Sequence, residues 1–418
     1  MEIVRELCSF EGRLAGTDAE RRAANRMAER LRDTGRRAAI EPIHVQPQIG
    51  LVYAAHCALG FAGSLLAVEL PVVGFALVLL AATSMYLDLN ARLYLVRRLF
   101  FRRASQNVVS NGGRSDASAR LVITAHLDAA RTGAVYSPKW MRLFERCANA
   151  VPFALSPSRV LFWSLAYLVP VLGVRAAGVD SDLLSVLQLP ATLVLLVGVF
   201  ALIDIELSPI VPGANDNASG VATALSLAAE LKAETPSNLD VWIVLTGGEE
   251  CLMQGMRSFV RAHRGELDRS STYLLNLDSV GAGDVRFEVG EGPAVTYELG
   301  SRLTELCAAI ADADAEGPNA FRAAPLRHGF ATDALPARLA GIPATTITCL
   351  APGAMVPANY HTAADVPEAI EPESLDRAHG FALELIRRLD ADVGRSAGTG
   401  PKPKRARRRR VRAGASER

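Results

Sequence analysis

The chain has 418 residues, of which 50% are hydrophobic but only 6% aromatic, so the apolar excess lies in Ala, Leu and Val and fits poorly with a wholly soluble protein. Its formal net charge of +1 hides an asymmetry, because Lys402 to Arg412 carries eight basic residues and leaves the remainder acidic. Six scattered cysteines (Cys8, Cys57, Cys147, Cys251, Cys307, Cys349) without a C-x-x-C spacing argue against a disulfide framework and a cysteine zinc site, and fit a reducing compartment.

Met1 to Glu6 mixes charges with no basic start and apolar run, so no cleaved secretory signal is expected. Residues 10 to 36 read as one amphipathic helix, with Thr17 and Asp18 as candidate caps and Ala24, Met27, Ala28 and Leu31 at helical spacing. A strand follows over Ala38 to Val45. Leu51 to Val68 and Leu70 to Leu87 are then two uncharged runs of 18 residues each, near the length of a bilayer span, with Glu69 and Pro71 at the turn.

Beyond an Arg-rich stretch, Asn107 to Ser110 and Leu121 to Ala125 read as strands. A second apolar pair, Val160 to Val174 and Leu183 to Ile203, surrounds a polar turn, and its first run is short for a span. Past Ser208, strand-like runs (Val241 to Leu245, Tyr273 to Leu277, Pro343 to Cys349) alternate with helical ones (Val221 to Lys232, Tyr297 to Ala311, Pro372 to Leu389). That rhythm predicts an α/β fold, a mixed β-sheet sandwiched by helices, with two inserted transmembrane helical hairpins. The expected organisation is a discontinuous catalytic domain (1–47, 104–150 and 207–392), hairpins at 48–90 and 158–205, and a disordered basic tail at 393–418.

The chemistry-bearing residues stand at strand ends, where α/β sites form. His126 and Asp128 close the strand Leu121 to Ala125. Asp216, in Asn215-Asp216-Asn217-Ala218-Ser219-Gly220, opens a helix, a position an ordinary N-cap also takes. Glu249 and Glu250 follow two glycines, and two adjacent carboxylates are costly without a cation. Asp278 ends a further strand, and His361 follows Tyr360 in a loop. His126, Asp216, Glu250, Asp278 and His361 offer the imidazole and carboxylate donors that suit catalytic zinc, although cobalt or manganese would be accepted too. Glu249 remains as a candidate base.

In this order, after Glu11-Gly12-Arg13-Leu14-Ala15-Gly16-Thr17, the motifs resemble the co-catalytic two-zinc aminopeptidase family that includes aminopeptidase Y, glutamate carboxypeptidase and bacterial leucyl aminopeptidases, family twenty-eight of the metallopeptidases. The resemblance fails over the apolar hairpins and the basic tail. It implies a zinc-exopeptidase-like fold in which His126 and Asp278 hold one zinc, Glu250 and His361 the other, and Asp216 bridges them. It also implies that Asp128 orients His126 and that Glu249 serves a metal-bridged hydroxide as general base. Tyr360 and Asp333 are weaker candidates for substrate contact, Asp333 because Thr332-Asp333-Ala334 departs from the Ser-Asp-His often found there. The expected activity is a membrane-anchored aminopeptidase acting on peptides. The competing readings are a catalytically silent scaffold or receptor of the same fold, and a glutaminyl cyclase or amidohydrolase.

In the resembling fold, Asn107 to Ser110 runs antiparallel to Leu121 to Ala125, so both hairpins should emerge on the active-site side. Arg92, Arg97, Arg98, Arg102, Arg103, Lys139, Arg142 and Arg146 flank the spans on the catalytic side, against Glu69, Asp180, Asp182 and Arg175 on the turns, which predicts a cytoplasmic catalytic domain. Membrane lipid is the expected partner of the basic tail, and nucleic acid is disfavoured because no aromatic residues interleave its charges. Oligomeric state is not legible.

Overall fold

One mixed sheet organises the computed structural model, which describes residues 1–114, 116–150, 156–317 and 319–399. Its strands are β1 (Ala39–Val45), β2 (Arg103–Ser110), β3 (Ala119–His126), β4 (Leu239–Thr246), β5 (Thr272–Leu277), β6 (Asp284–Glu291), β7 (Tyr297–Glu298), β8 (Ala324–Arg327) and β9 (Ala344–Leu350). They lie in the order β1-β2-β4-β3-β5-β9-β6-β7, with β8 beside β6. The central β4, β3, β5 and β9 are parallel, and β4 is buried along its whole length, so Val241 to Leu245 is a continuous apolar run rather than an alternating one.

The chain opens with α1 (Glu2–Cys8) and α2 (Asp18–Asp33); α3 (Ile49–Leu66) and α4 (Pro71–Leu89) follow β1. After β3 come α5 (Pro138–Ala150), α6 (Pro157–Ala176) and α7 (Asp182–Leu207). Then α8 (Gly220–Ala233), α9 (Gln254–Ala262), α10 (Arg302–Ala315), α11 (Ala334–Leu339) and α12 (Pro372–Thr399) alternate with the remaining strands. Leu121 and Ile123 of β3 face α1, α2, α8, α10 and α12, whereas Val122 between them packs toward α9 and α11. The sheet is thus covered on both faces, as the period-2 pleat requires.

Four helices, α3, α4, α6 and α7, are long and apolar enough to cross a membrane. They pack on one another through Cys57, Val78, Ala81, Leu165, Leu168 and Leu195. Their polar side chains turn inward, where His56 bonds Ser84 (2.9 Å) and Ser64 bonds Thr192 (2.6 Å). Outward they present Val72, Leu183, Val186, Val197 and Phe200, all more than half exposed, the reverse of a water-soluble bundle.

Several expectations need correction. The first helix does not span 10 to 36: Thr17 caps α2, its hydroxyl accepting from Glu20 N–H, and residues 9 to 16 form a loop that carries Arg13. Ser156 capping and Pro157 at the first turn extend the short run Val160 to Val174 into a 20-residue helix. Tyr297 is not helical but lies in β7, and α10 starts only after Ser301, whose backbone N–H bonds the Thr304 hydroxyl. The last helix continues to Thr399, beyond both Leu389 and the expected tail boundary at 393, because Ala382, Leu385, Ile386, Leu389 and Val393 keep its buried face in the core. The basic segment from Lys402 lies outside the described residues. Finally, β4 separates β2 from β3; β2 is antiparallel to β4, and β4 parallel to β3, so the expected relative direction holds without direct pairing.

Candidate active site

The carboxyl ends of β3, β4 and β5 deliver His126, the Glu249–Glu250 pair and Asp278, while the turn before α8 and the loop after β9 bring Asp216 and His361 to the same place. His126 Nε2 stands 3.1 Å from Asp216 Oδ1 and 3.8 Å from Asp278 Oδ1. His361 Nε2 stands 3.4 Å from Asp216 Oδ2 and 3.3 Å from Glu250 Oε2. The two oxygens of Asp216 therefore face different imidazoles, each of which has a further carboxylate beside it.

Such a cluster is unstable without positive charge. Glu250 Oε1 is buried with no hydrogen-bond partner among the described residues, and donor atoms of His126, Asp216 and Glu250 lie within 4.8 Å of one another. Burial alone would push His126 down, but hydrogen bonds to Asp216 and Asp278 outweigh it and push its pKa well up. For His361, burial is likewise outweighed by Glu250, with Tyr136 and Asp216 adding to the upward push. Burial would raise Asp216, but hydrogen bonds from His126 and His361 outweigh it and drive it well below the carboxylate range. Imidazoles that demand a cation's worth of charge from their surroundings, among carboxylates that cannot all be neutralised, are donors suited to a bound divalent metal.

Glycines shape the carboxylate pair's loop. Gly248 adopts φ +66, and a Cβ on Gly247 would stand 2.5 Å from Gln106 O. The Asp128 carboxylate accepts from Glu249 N–H (3.0 Å) and Glu250 N–H (3.1 Å). Its relation to His126 is through the backbone, His126 Nδ1 facing Asp128 O at 3.1 Å and the carboxylate only at 3.7 Å. Asp128 thus holds both halves of the site in register. Glu249 has its pKa raised well above the ordinary value, by burial and then by the neighbouring carboxylates of Glu250, Asp333 and Asp278.

Three supports escaped the sequence reading. Arg13 is buried and donates to the carbonyls of Leu7, Leu127, Pro212 and Gly213, tying the His126 strand end to the Asp216 turn. Asp365 accepts from Asn215 N–H (2.6 Å) and Asp216 N–H (3.1 Å), and Asn217 Oδ1 accepts from Gly220 N–H and Ser279 N–H. Arg13 and Asn217 stand inside the motifs Glu11 to Thr17 and Asn215 to Gly220, and Asp365 lies just past His361, so a charged or amide residue near a candidate metal donor was the available signal.

A cleft opens on the cluster. Tyr360 lines it and stacks on His361 with ring centroids 3.9 Å apart. Burial, then the nearby Tyr136 and carboxylates, hold its phenol well above the ordinary value, so it stays a hydroxyl donor. Asp333 does not line the cleft: it is fully buried, with Oδ2 accepting from the Thr246 hydroxyl at the end of β4. It props the strand below the Gly-Gly turn and is out of reach of substrate.

The apolar helices reach this side of the sheet. Arg97, after α4, donates to Cys251 O (3.1 Å), next to Glu250. Trp163 of α6 donates to Ala294 O, and Ala134 N–H bonds Asp204 of α7 two residues before Tyr136, whose ring lies 4.8 Å from that of His361.

The profile of peptidase family M28 matches residues 199–386, a segment that holds Asp216, Glu249, Glu250, Asp278 and His361. The match covers just under half of the chain, which is similar to that family over this segment. Among solved structures, the Bacillus subtilis zinc aminopeptidase BSAP is similar at 15% identity, covering 93% of each chain with a TM-score of 0.53. A Zn-dependent exopeptidase from Parabacteroides distasonis is similar at 15% identity over 92% of this chain and 96% of that one, TM-score 0.52. The Porphyromonas gingivalis glutaminyl cyclase reaches 15% identity over 94% and 96%, TM-score 0.53, so the shared fold alone does not separate hydrolysis from cyclisation. A search of curated protein sequences finds no match.

Proposed function

We propose that this chain is a membrane-anchored aminopeptidase of the M28 kind carrying two zinc ions. The observation that supports it is the position of Asp216, whose Oδ1 faces His126 at 3.1 Å and whose Oδ2 faces His361 at 3.4 Å, the arrangement of a carboxylate shared by two cations. His126 and Asp278 would hold one zinc, Glu250 and His361 the other. When bound, zinc supplies Lewis acidity, polarising the scissile carbonyl and lowering the pKa of water.

The residues do the rest. Glu249, placed by the Asp128 bond to its N–H, takes a proton from the attacking water as its oxygen adds to the carbonyl carbon. It returns that proton to the amine nitrogen as the C–N bond breaks. A carboxylate whose proton affinity is raised is matched to both halves of that transfer. Tyr360, kept protonated, is positioned to donate to the developing oxyanion.

The contacts of Arg97, Trp163 and Ala134 support a cleft that faces the membrane surface, favouring small apolar or membrane-derived peptides. Arg92, Arg98, Arg102, Arg103, Lys139, Arg142 and Arg146 support a cytoplasmic catalytic domain. Arg97 leaves that count, since Asp88 neutralises it. The segment Lys402 to Arg412 would add contacts to anionic lipid.

The test is zinc content and product analysis of detergent-purified protein on amino-acid amides, N-acetylated peptides and N-terminal glutaminyl peptides. Two zincs per chain and release of free N-terminal residues, blocked by acetylation, are expected; one zinc with pyroglutamyl product would overturn the reading. Proteolysis of the catalytic domain in right-side-out vesicles would overturn the sidedness.

A further inference from the structure

The cleft holds a second acid–imidazole pair away from the ligand cluster. Phe287 packs into the core and Val289 packs against it, so Glu288 between them projects to the opposite face of β6. There Glu288 Oε1 lies 2.5 Å from His328 Nε2, and both residues line the cleft. The side chains are almost inaccessible, at 2% for Glu288 and 9% for His328.

The other nitrogen of His328 decides the charge of this pair. Phe330 N–H donates to His328 Nδ1 at 3.0 Å, so Nδ1 presents a lone pair and the proton sits on Nε2, facing Glu288. The imidazole therefore faces Glu288 as a single N–H donor. Glu288 Oε2 is buried without a hydrogen-bond partner among the described residues. A carboxylate with one oxygen held and the other unpartnered, lining a substrate cleft, is a receptor for a cation.

Its surroundings indicate which cation. Leu326, Phe330, Leu350 and Met355 line the same cleft. Apolar walls with one buried acid suit a long aliphatic stem that ends in an ammonium or guanidinium, whereas an α-amino group has no such stem. We infer that Glu288 is the cation acceptor of the side-chain pocket, so that the preferred substrates present Lys or Arg as the residue released, an inference that rests on the aminopeptidase reading. His328 is a positioning residue that aims the carboxylate.

The experiment compares kcat/KM of wild type and Glu288→Gln on Lys, Arg and Leu amides, beside calorimetric binding of free lysine and norleucine to the zinc-loaded proteins. Gln keeps the acceptor for His328 Nε2–H and removes only the charge. The Lys-to-Leu ratio of kcat/KM should fall about 10- to 100-fold, through KM, as expected for loss of one charged hydrogen bond. An equal loss on Lys and Leu, or a wild type that prefers Leu, would overturn the inference. Lysine binding more tightly than norleucine to wild type but not to Glu288→Gln would support the pocket even if no amide is cleaved, in which case only the aminopeptidase reading fails. Equal binding of the two amino acids to wild type would reject the pocket whatever the catalytic result.

Discussion

Arg97 and Asp88 form an ion pair in which neither side chain has any solvent exposure, with Arg97 Nη2 2.7 Å from Asp88 Oδ1. Asp88 ends the second apolar helix, and the same guanidinium donates to Cys251 O and Gln46 O. Tyr53 of α3 adds a bond from its hydroxyl to Asp88 Oδ1 at 2.9 Å. One buried cation thereby joins the first hairpin to the loop that carries Glu249 and Glu250.

Removing one partner leaves the other charge buried and alone. Asp88→Asn should destabilise the protein by about 3–5 kcal/mol, read as a lowered Tm in detergent, and should reduce activity because the Cys251 carbonyl loses an anchored donor. The double variant Asp88→Leu with Arg97→Met should recover most of the Tm. A single variant as stable as wild type would show that the hairpin is not coupled to the loop.

Glu249→Gln keeps the shape of the side chain and the bond from its backbone N–H to Asp128, but cannot take a proton. Its kcat should fall about a hundred- to ten-thousand-fold, the usual worth of a positioned base, while zinc content stays at the wild-type value. Retained turnover would move the base to another carboxylate.

Asp365 is not among the residues proposed to hold metal, yet it fixes the consecutive Asn215 and Asp216 N–H groups that lead into the proposed bridging carboxylate. Asp365→Asn should weaken zinc retention about 10- to 100-fold in competition with a chelator, the range found for residues that orient ligands. Chelation of the wild type should lower Tm, and added zinc should restore it, because the carboxylates of the cluster lose their counter-charge. A Tm indifferent to chelator would mean that the cluster is stable without metal.

The clustering of His126, Asp216, Glu250, Asp278 and His361 was legible because they stand at strand ends, or in the turn and loop beside them, within short motifs where residue type and order carry the information. What was missed was tertiary. Arg13 looked like part of a helix because Ala24, Met27, Ala28 and Leu31 keep helical period nearby, and only the fold brings four carbonyls around its guanidinium. Asp333 could not be placed, since a lone carboxylate before a short helix looks the same whether it caps, binds or props. Strand β6 could have been found: Asp284-Val285-Arg286-Phe287-Glu288-Val289 alternates strictly, the signature of a strand with one face on the core. Without that strand Glu288 was one more acid, and its partner His328, forty residues on, had no reason to be linked to it.

Glu20 gives the protein a pH dependence outside the ligand cluster. It is fully buried, accepting from Gly16 N–H (2.8 Å) and from the Ser105 hydroxyl (2.8 Å), and burial together with the charge of Asp128 pushes its pKa up to about 8. In the unfolded chain it ionises near its ordinary 4.5. Between those values the unfolded state releases a proton that the folded state keeps, so this group's contribution to stability is full below the unfolded value and declines as pH rises toward the folded one. Glu20→Gln has no proton to lose. The difference in Tm between variant and wild type, both saturated with zinc, should therefore shift in the variant's favour as pH is raised from 5 to 8. A difference that stays constant across that range would mean that Glu20 is ionised throughout, its charge sustained by the Gly16 and Ser105 donors alone.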